Sequence, residues 1–146
     1  MKKLHFNTTI NAPREKVWDI LWGETSYPKW TKPFNEGSAV ETDWQEGSEV
    51  KFLDGEGNGM LSSIAVKREP EYLSFKHHGN IINGVKDTES PEVKAWAGAE
   101  ENYTLSTVNG QTELKVDLDV TEDHSGIFSD MFPKALAIVK ELSEQS

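Results

Sequence analysis

The chain has 146 residues, 25 acidic against 15 basic, and a formal net charge of −10. That length suits one domain with a real core, so residues 1–146 read as a single unit. Five Trp, three Tyr and six Phe argue against disorder, and the acidic surplus excludes the basic patches that a nucleic acid or an anionic membrane face requires.

Leu4, Phe6, Thr8 and Ile10 alternate with His5, Asn7 and Thr9, the period of a half-buried strand. Asn11-Ala12-Pro13 ends it. Proline suits the start of a helix, and Glu15 favours the helix dipole in the first turn. Val17, Trp18, Leu21 and Trp22 share one helical face, which Gly23 closes. Residues 27–34, rich in aromatics and proline, predict a short helix or ordered loop.

From Ser38 to Val120 the pattern is strands and turns. Val50 and Phe52 alternate. The cluster Asp54–Gly59 turns the chain, and Met60, Ser62, Ile64 and Val66 alternate beyond it. Glu69-Pro70-Glu71 turns it again before Leu73, Phe75 and His77. Residues 80–95 are mostly polar and predict a long loop. Tyr103 and Leu105 lead to Asn109-Gly110, a hairpin signal, and Leu114, Val116, Leu118 and Val120 alternate on the returning strand. After Asp123-His124-Ser125-Gly126, a last helix carries Phe128, Met131, Phe132, Ala135, Val139 and Leu142 at three- and four-residue steps. Pro133 within it predicts a kink or a new first turn. The class is α+β: two short helices after the first strand, then a curved antiparallel sheet of about six to seven strands wrapped around a long C-terminal helix.

These segments, in this order, resemble the helix-grip superfamily of START and birch-pollen-allergen-like domains (SRPBCC). Within it the likeness is to the branch of the activator of heat-shock-protein-90 ATPase. The matching stretches are Ile10–Trp18, Tyr27–Trp30, Gly47–Phe52, Glu69–Phe75, Thr112–Val116 and the final helix. The resemblance implies a helix-grip fold with a cavity between sheet and last helix that often holds an apolar ligand. It implies no single reaction, because members include lipid carriers, cyclases and hydroxylase subunits. The co-chaperone itself has a separate N-terminal domain, for which this length leaves no room.

Strand phase says which side chains point inward. It places Thr8, Ser62, His77 and Glu101 as the few polar groups on an aromatic and aliphatic inner face, with His78 outside. That is the composition of a small-molecule cavity. The expected lining is Phe6, Trp30, Phe52, Met60, Ile64, Phe75, His77, Glu101, Tyr103, Phe128, Met131 and Phe132. Trp44 and Trp96 flank polar segments at its expected rim.

His77 and Glu101 belong to strands expected to be neighbours. A buried carboxylate beside an imidazole has the makings of an acid/base pair, and the competing account is a satisfied polar pair. No catalytic residue is assigned beyond these two. No metal site is expected: there are no cysteines, adjacent His77 and His78 point to opposite faces, and Asp54–Gly59 lacks the glutamate that a calcium loop needs twelve residues from its start, where Ala65 stands. No cofactor is expected either.

The favoured reading is a domain binding a small hydrophobic or aromatic molecule. Its rivals are a co-chaperone-like interaction module with a chaperone partner, and an enzyme on a polyketide-like or aromatic ligand using His77 and Glu101. The longest uninterrupted apolar run, Ala135–Val139, and the absence of an apolar segment behind Lys2-Lys3 predict neither a membrane span nor a secretory signal. A cytoplasmic protein is expected; its oligomeric state is open.

Overall fold

A computed structural model describes residues 1–34 and 36–145. The chain runs β1 (Lys2–Ile10), α1 (Arg14–Trp22), α2 (Tyr27–Trp30), β2 (Ala39–Glu41), β3 (Glu49–Leu53), β4 (Gly59–Arg68), β5 (Tyr72–Ile82), β6 (Val85–Asp87), α3 (Pro91–Lys94), β7 (Glu100–Val108), β8 (Gln111–Val120) and α4 (Glu122–Glu144). The fold is the helix-grip fold, a curved antiparallel sheet with a long C-terminal helix. Strand order is β1-β8-β7-β5-β4-β3-β2, and β6 pairs with the far end of β5.

Alternation is cleanest where it is also clearest in sequence. On β8, Thr112, Leu114, Val116, Leu118 and Val120 are buried, while their odd-numbered neighbours turn outward. Its register with β1 puts Leu4 opposite Leu118, Phe6 opposite Val116 and Ile10 opposite Thr112. Asn109 and Gly110 both have positive φ, 52° and 78°, which gives the hairpin a twist that matches its strands.

Helix α1 buries Val17, Trp18, Leu21 and Trp22. The Trp22 ring meets Trp18, Trp30, Trp44, Phe75 and Tyr103, so one indole joins both short helices to the sheet. Such edge contacts suit ring quadrupoles and add to the area that each ring buries. Helix α4 packs against β1, α1 and α2. It continues on both sides of Pro133 and buries Phe132, Ala135, Leu136 and Val139. No helix among the described residues is long and apolar enough to cross a membrane.

Three local expectations are corrected. Residues 80–95 are not one loop: Asn83 and Gly84, with φ of 51° and 78°, turn β5 into β6, and α3 follows. The dipeptide is the same Asn-Gly signal that marks the β7–β8 hairpin, here set in a polar stretch without visible alternation. Helix α4 begins at Glu122, not after Gly126, because the acidic pair Glu122 and Asp123 sits in its first turn, where it favours the dipole. Finally, β4 and β5 carry register irregularities, one of them at Leu61/Ser62: Leu61 faces Gly79 but Ser62 faces His77, leaving His78 as the extra residue. Side-chain direction along β5 therefore shifts phase at that point.

Candidate functional site

A cavity of about 340 Å³ opens between the sheet's inner face, α2, α3 and the first half of α4. Eight aromatic side chains wall it: Tyr27, Trp30, Phe34, Phe52, Trp96, Tyr103, Phe128 and Phe132. Their positions follow from local packing. Trp30 is buried and donates its indole N–H to the Leu21 carbonyl at 2.9 Å, which ties α2 to α1. Phe128 and Phe132 are one turn apart on α4, and Phe34 packs against both, at 6.1 and 4.9 Å between ring centres. Phe52 lies edge-on to Phe75 at 5.1 Å and to the His77 ring at 6.0 Å.

Two of the wall's polar residues, His77 and Glu101, belong to one hydrogen-bonded chain. Strands β5 and β7 pair with Phe75 opposite Glu101, so His77, two residues along, lies diagonal to the carboxylate. His77 Nε2 is 3.1 Å from Glu101 Oε1, and His77 Nδ1 is 2.6 Å from Ser62 Oγ. Both ring nitrogens are thus engaged, with Nε2–H donating to the Glu101 carboxylate and Nδ1 sharing a hydrogen bond with the Ser62 hydroxyl. The Tyr103 hydroxyl donates to the other Glu101 oxygen. Burial, then the Glu101 charge, holds the Tyr103 phenol well above its ordinary pKa. The same two causes act on Tyr27 in the same direction. Both phenols therefore stay protonated.

Of the expected lining residues, Trp30, Phe52, Met60, His77, Glu101, Tyr103, Phe128 and Phe132 border the cavity. Phe6, Ile64, Phe75 and Met131 do not. Ile64 and Phe75 face inward, but there the helices cover the sheet, with Trp22 of α1 5.3 Å from Phe75, so they are core. Phe6 stacks behind Phe132 at 5.0 Å. Met131 is about 100° round α4 from Phe132 and turns away from the opening. Trp96 borders the cavity, as an aromatic at its rim should. Trp44 instead packs on Trp22 at 5.6 Å.

Sequence reasoning missed Asn80, Glu92, Asp119 and His124, all of which border the cavity. Asn80 points in because the irregularity at His78 reverses the phase, and it pairs with inward-facing Met60. Glu92 arrives on α3, and His124 on the early first turn of α4. Asp119 binds Lys3 at 3.0 Å and the Glu100 N–H at 3.0 Å. Burial opposes ionisation of Asp119, but these two partners win and hold its carboxyl below the usual range.

The arrangement can hold an apolar body against rings and take a polar group at Glu101. Ser62, the hydroxyl bonded to His77, is 1% exposed and lies outside the cavity wall. Among the described residues, no cluster of three or more His, Asp or Glu side chains is placed to hold a metal ion.

The family model for Activator of Hsp90 ATPase homolog 1-like protein matches residues 11–136. The chain belongs to this family. Solved structures share the family's fold at low identity. The Aha1 dimer from Colwellia psychrerythraea is 20% identical with a TM-score of 0.73, covering 99% of this chain and 98% of that one. The protein ChR145 from Cytophaga hutchinsonii is 22% identical with a TM-score of 0.71, over 97% and 92%. CalU16 from Micromonospora echinospora is 16% identical with a TM-score of 0.67, over 98% and 76%. A sequence search of curated proteins gives no match. Family membership accounts for the fold; what the cavity holds must be argued from its wall.

Proposed function

We propose that the protein binds a small, largely apolar aromatic molecule in the cavity beneath α4, with a polar group of that molecule at Glu101. The observation that carries this is the wall itself: eight aromatic side chains around about 340 Å³, interrupted by the hydrogen-bonded set Glu101, His77 and Tyr103. That volume falls within the range of small-molecule sites, and a mostly apolar lining with few placed polar groups is their usual composition. The Glu101 carboxylate, although hydrogen-bonded to His77 and Tyr103, keeps acceptor positions that a polar group of the ligand can use.

Native mass spectrometry of freshly purified protein, joined to amide NMR titration with small aromatic fragments, tests the reading. The expected result is a bound small molecule, or fragment shifts centred on Phe52, Met60, Tyr103 and Phe128. Shifts confined to the outer sheet face, or none with any fragment, would overturn it.

The family match over residues 11–136 favours a second reading, contact with a chaperone of the heat-shock-protein-90 type. Titrating the protein into that chaperone's ATPase assay decides it: no binding and no change of rate removes this reading and leaves the first intact.

A further inference from the structure

We infer that the cavity selects an organic cation, a protonated amine carried on an aromatic or alicyclic body, over neutral or anionic molecules of the same shape. The inference rests on the small-molecule reading above and narrows it to a class of ligand.

The argument starts from charge. Glu101, Glu92 and Asp119 all border the cavity, Asp119 with its carboxylate turned outward to Lys3 and the Glu100 N–H, and among the described residues no lysine or arginine does. Of the three carboxylates, Asp119 is neutralised by Lys3 at 3.0 Å. Glu92 is exposed on α3 at the mouth. Glu101 differs from both: its side chain is only 19% exposed, and its partners are an imidazole and a phenol. The phenol of Tyr103 donates a hydrogen bond without cancelling the charge, and burial keeps it protonated. Each carboxylate oxygen accepts one protein hydrogen bond and retains a second acceptor position.

Two imidazoles, His77 and His124, border the cavity, and both are hydrogen-bonded within the protein. His77 is held between Ser62 and Glu101, and His124 contacts Thr121 Oγ1 at 2.8 Å and the Asp123 carboxylate at 3.6 Å.

The second line is the wall. Aromatic rings present negative faces, and a cation among several of them gains attraction that a neutral group does not. Tyr27, Trp30, Phe52 and Tyr103 supply such rings around Glu101's side of the cavity, and Tyr27 is close enough for the Glu101 charge to act on its phenol. An anion would meet Glu101 with no lysine or arginine on the described wall to offset it. A net charge of −10 adds a long-range field that concentrates cations at the mouth.

Three probes of one shape separate the terms: naphthylmethylamine, naphthylmethanol and naphthoate, each titrated calorimetrically into the wild-type protein at neutral pH. The amine should bind about tenfold tighter than the alcohol, with the carboxylate weakest. In Glu101→Gln the amine's affinity should drop to about that of the alcohol. Equal affinities, or a preference for the carboxylate, would overturn the cation inference while leaving the cavity reading in place. Binding of none of the three would overturn the cavity reading and this inference with it. If the amine keeps its advantage in Glu101→Gln, the carboxylate is not the selecting group. Should that variant fail to fold, the wild-type series decides the preference by itself.

Discussion

The His77 imidazole and the Glu101 carboxylate meet at 3.1 Å across two antiparallel strands, although 24 residues separate them in the chain. The contact is diagonal, Phe75 being the residue directly opposite Glu101. Ser62 on β4 completes the line from the other side. Three adjacent strands thus each contribute one side chain to this polar line on a largely apolar inner face, and each side chain satisfies the next.

Because these groups satisfy one another, their loss is not additive. His77→Ala strands the Ser62 hydroxyl, which is 1% exposed, and Ser62→Ala leaves Nδ1 without its hydrogen-bond partner. Each single change should cost about 1–3 kcal/mol, and the double mutant should cost about 1 kcal/mol less than their sum. Urea unfolding of the four proteins measures this; additivity to within a few tenths of a kcal/mol would show the two side chains to be independent.

Two buried phenols make the fold sensitive to alkali. Burial, then the Glu101 charge, raises the pKa of both Tyr27 and Tyr103 in the folded state. Above about pH 10 the unfolded chain releases these protons while the folded chain keeps them, so the unfolded state binds fewer and stability falls as pH rises. Each phenol contributes a slope of about 1.4 kcal/mol per pH unit there. Below pH 10 the contribution is complete and flat. Denaturant midpoints across that range check it, and Tyr27→Phe should roughly halve the slope.

Two neighbours on α4 should respond very differently. Phe132 is 3% exposed and packs on Phe6, Phe34 and Phe128. Phe132→Ala should cost about 3–5 kcal/mol. Met131 is only half-buried and outside the cavity wall, so Met131→Ala should cost about 1 kcal/mol. Thermal unfolding compares them; equal losses would mean that α4 is rotated from the orientation described.

Two glycines test the backbone in opposite directions. A Cβ on Gly79 would stand 2.2 Å from the carbonyl oxygen of Asp87, the last residue of β6, which pairs with β5 at Asn80. Gly79→Ala should lose about 1–3 kcal/mol or more through forced displacement of that strand. Gly126 lies in the exposed first part of α4, and a Cβ there meets nothing within 4 Å. Gly126→Ala should gain about 0.5–1 kcal/mol by raising helix propensity and restricting the unfolded chain. Calorimetric melting of both variants distinguishes the two signs.

Much of this architecture was legible because period and turn chemistry are local. Leu114 to Val120 alternate in sequence and are buried alternately in space, and Asn109-Gly110 can hardly do anything else than turn a hairpin. Val17, Trp18, Leu21 and Trp22 mark one helical stripe, and that stripe is the buried one. Phase also carried His77 and Glu101 to the inner face, since each shares it with an apolar residue two positions away.

The rest depended on three dimensions. An aromatic-rich, acidic chain without cysteine excluded thiol chemistry, but did not fix the division of its rings between core and cavity. Phe75 and Phe52 both face inward; Trp22 of α1 covers the first, and the second remains on the cavity wall, because a helix covers only part of a curved sheet. Asn80 joins the wall through a register shift that no alternation announces, and Glu92 through a hairpin and helix hidden in polar sequence. Side-chain period sets the face on which a residue lies. Whether that face is packed or open is a property of what lies above it, and only the tertiary arrangement of α1, α2 and α4 decides that.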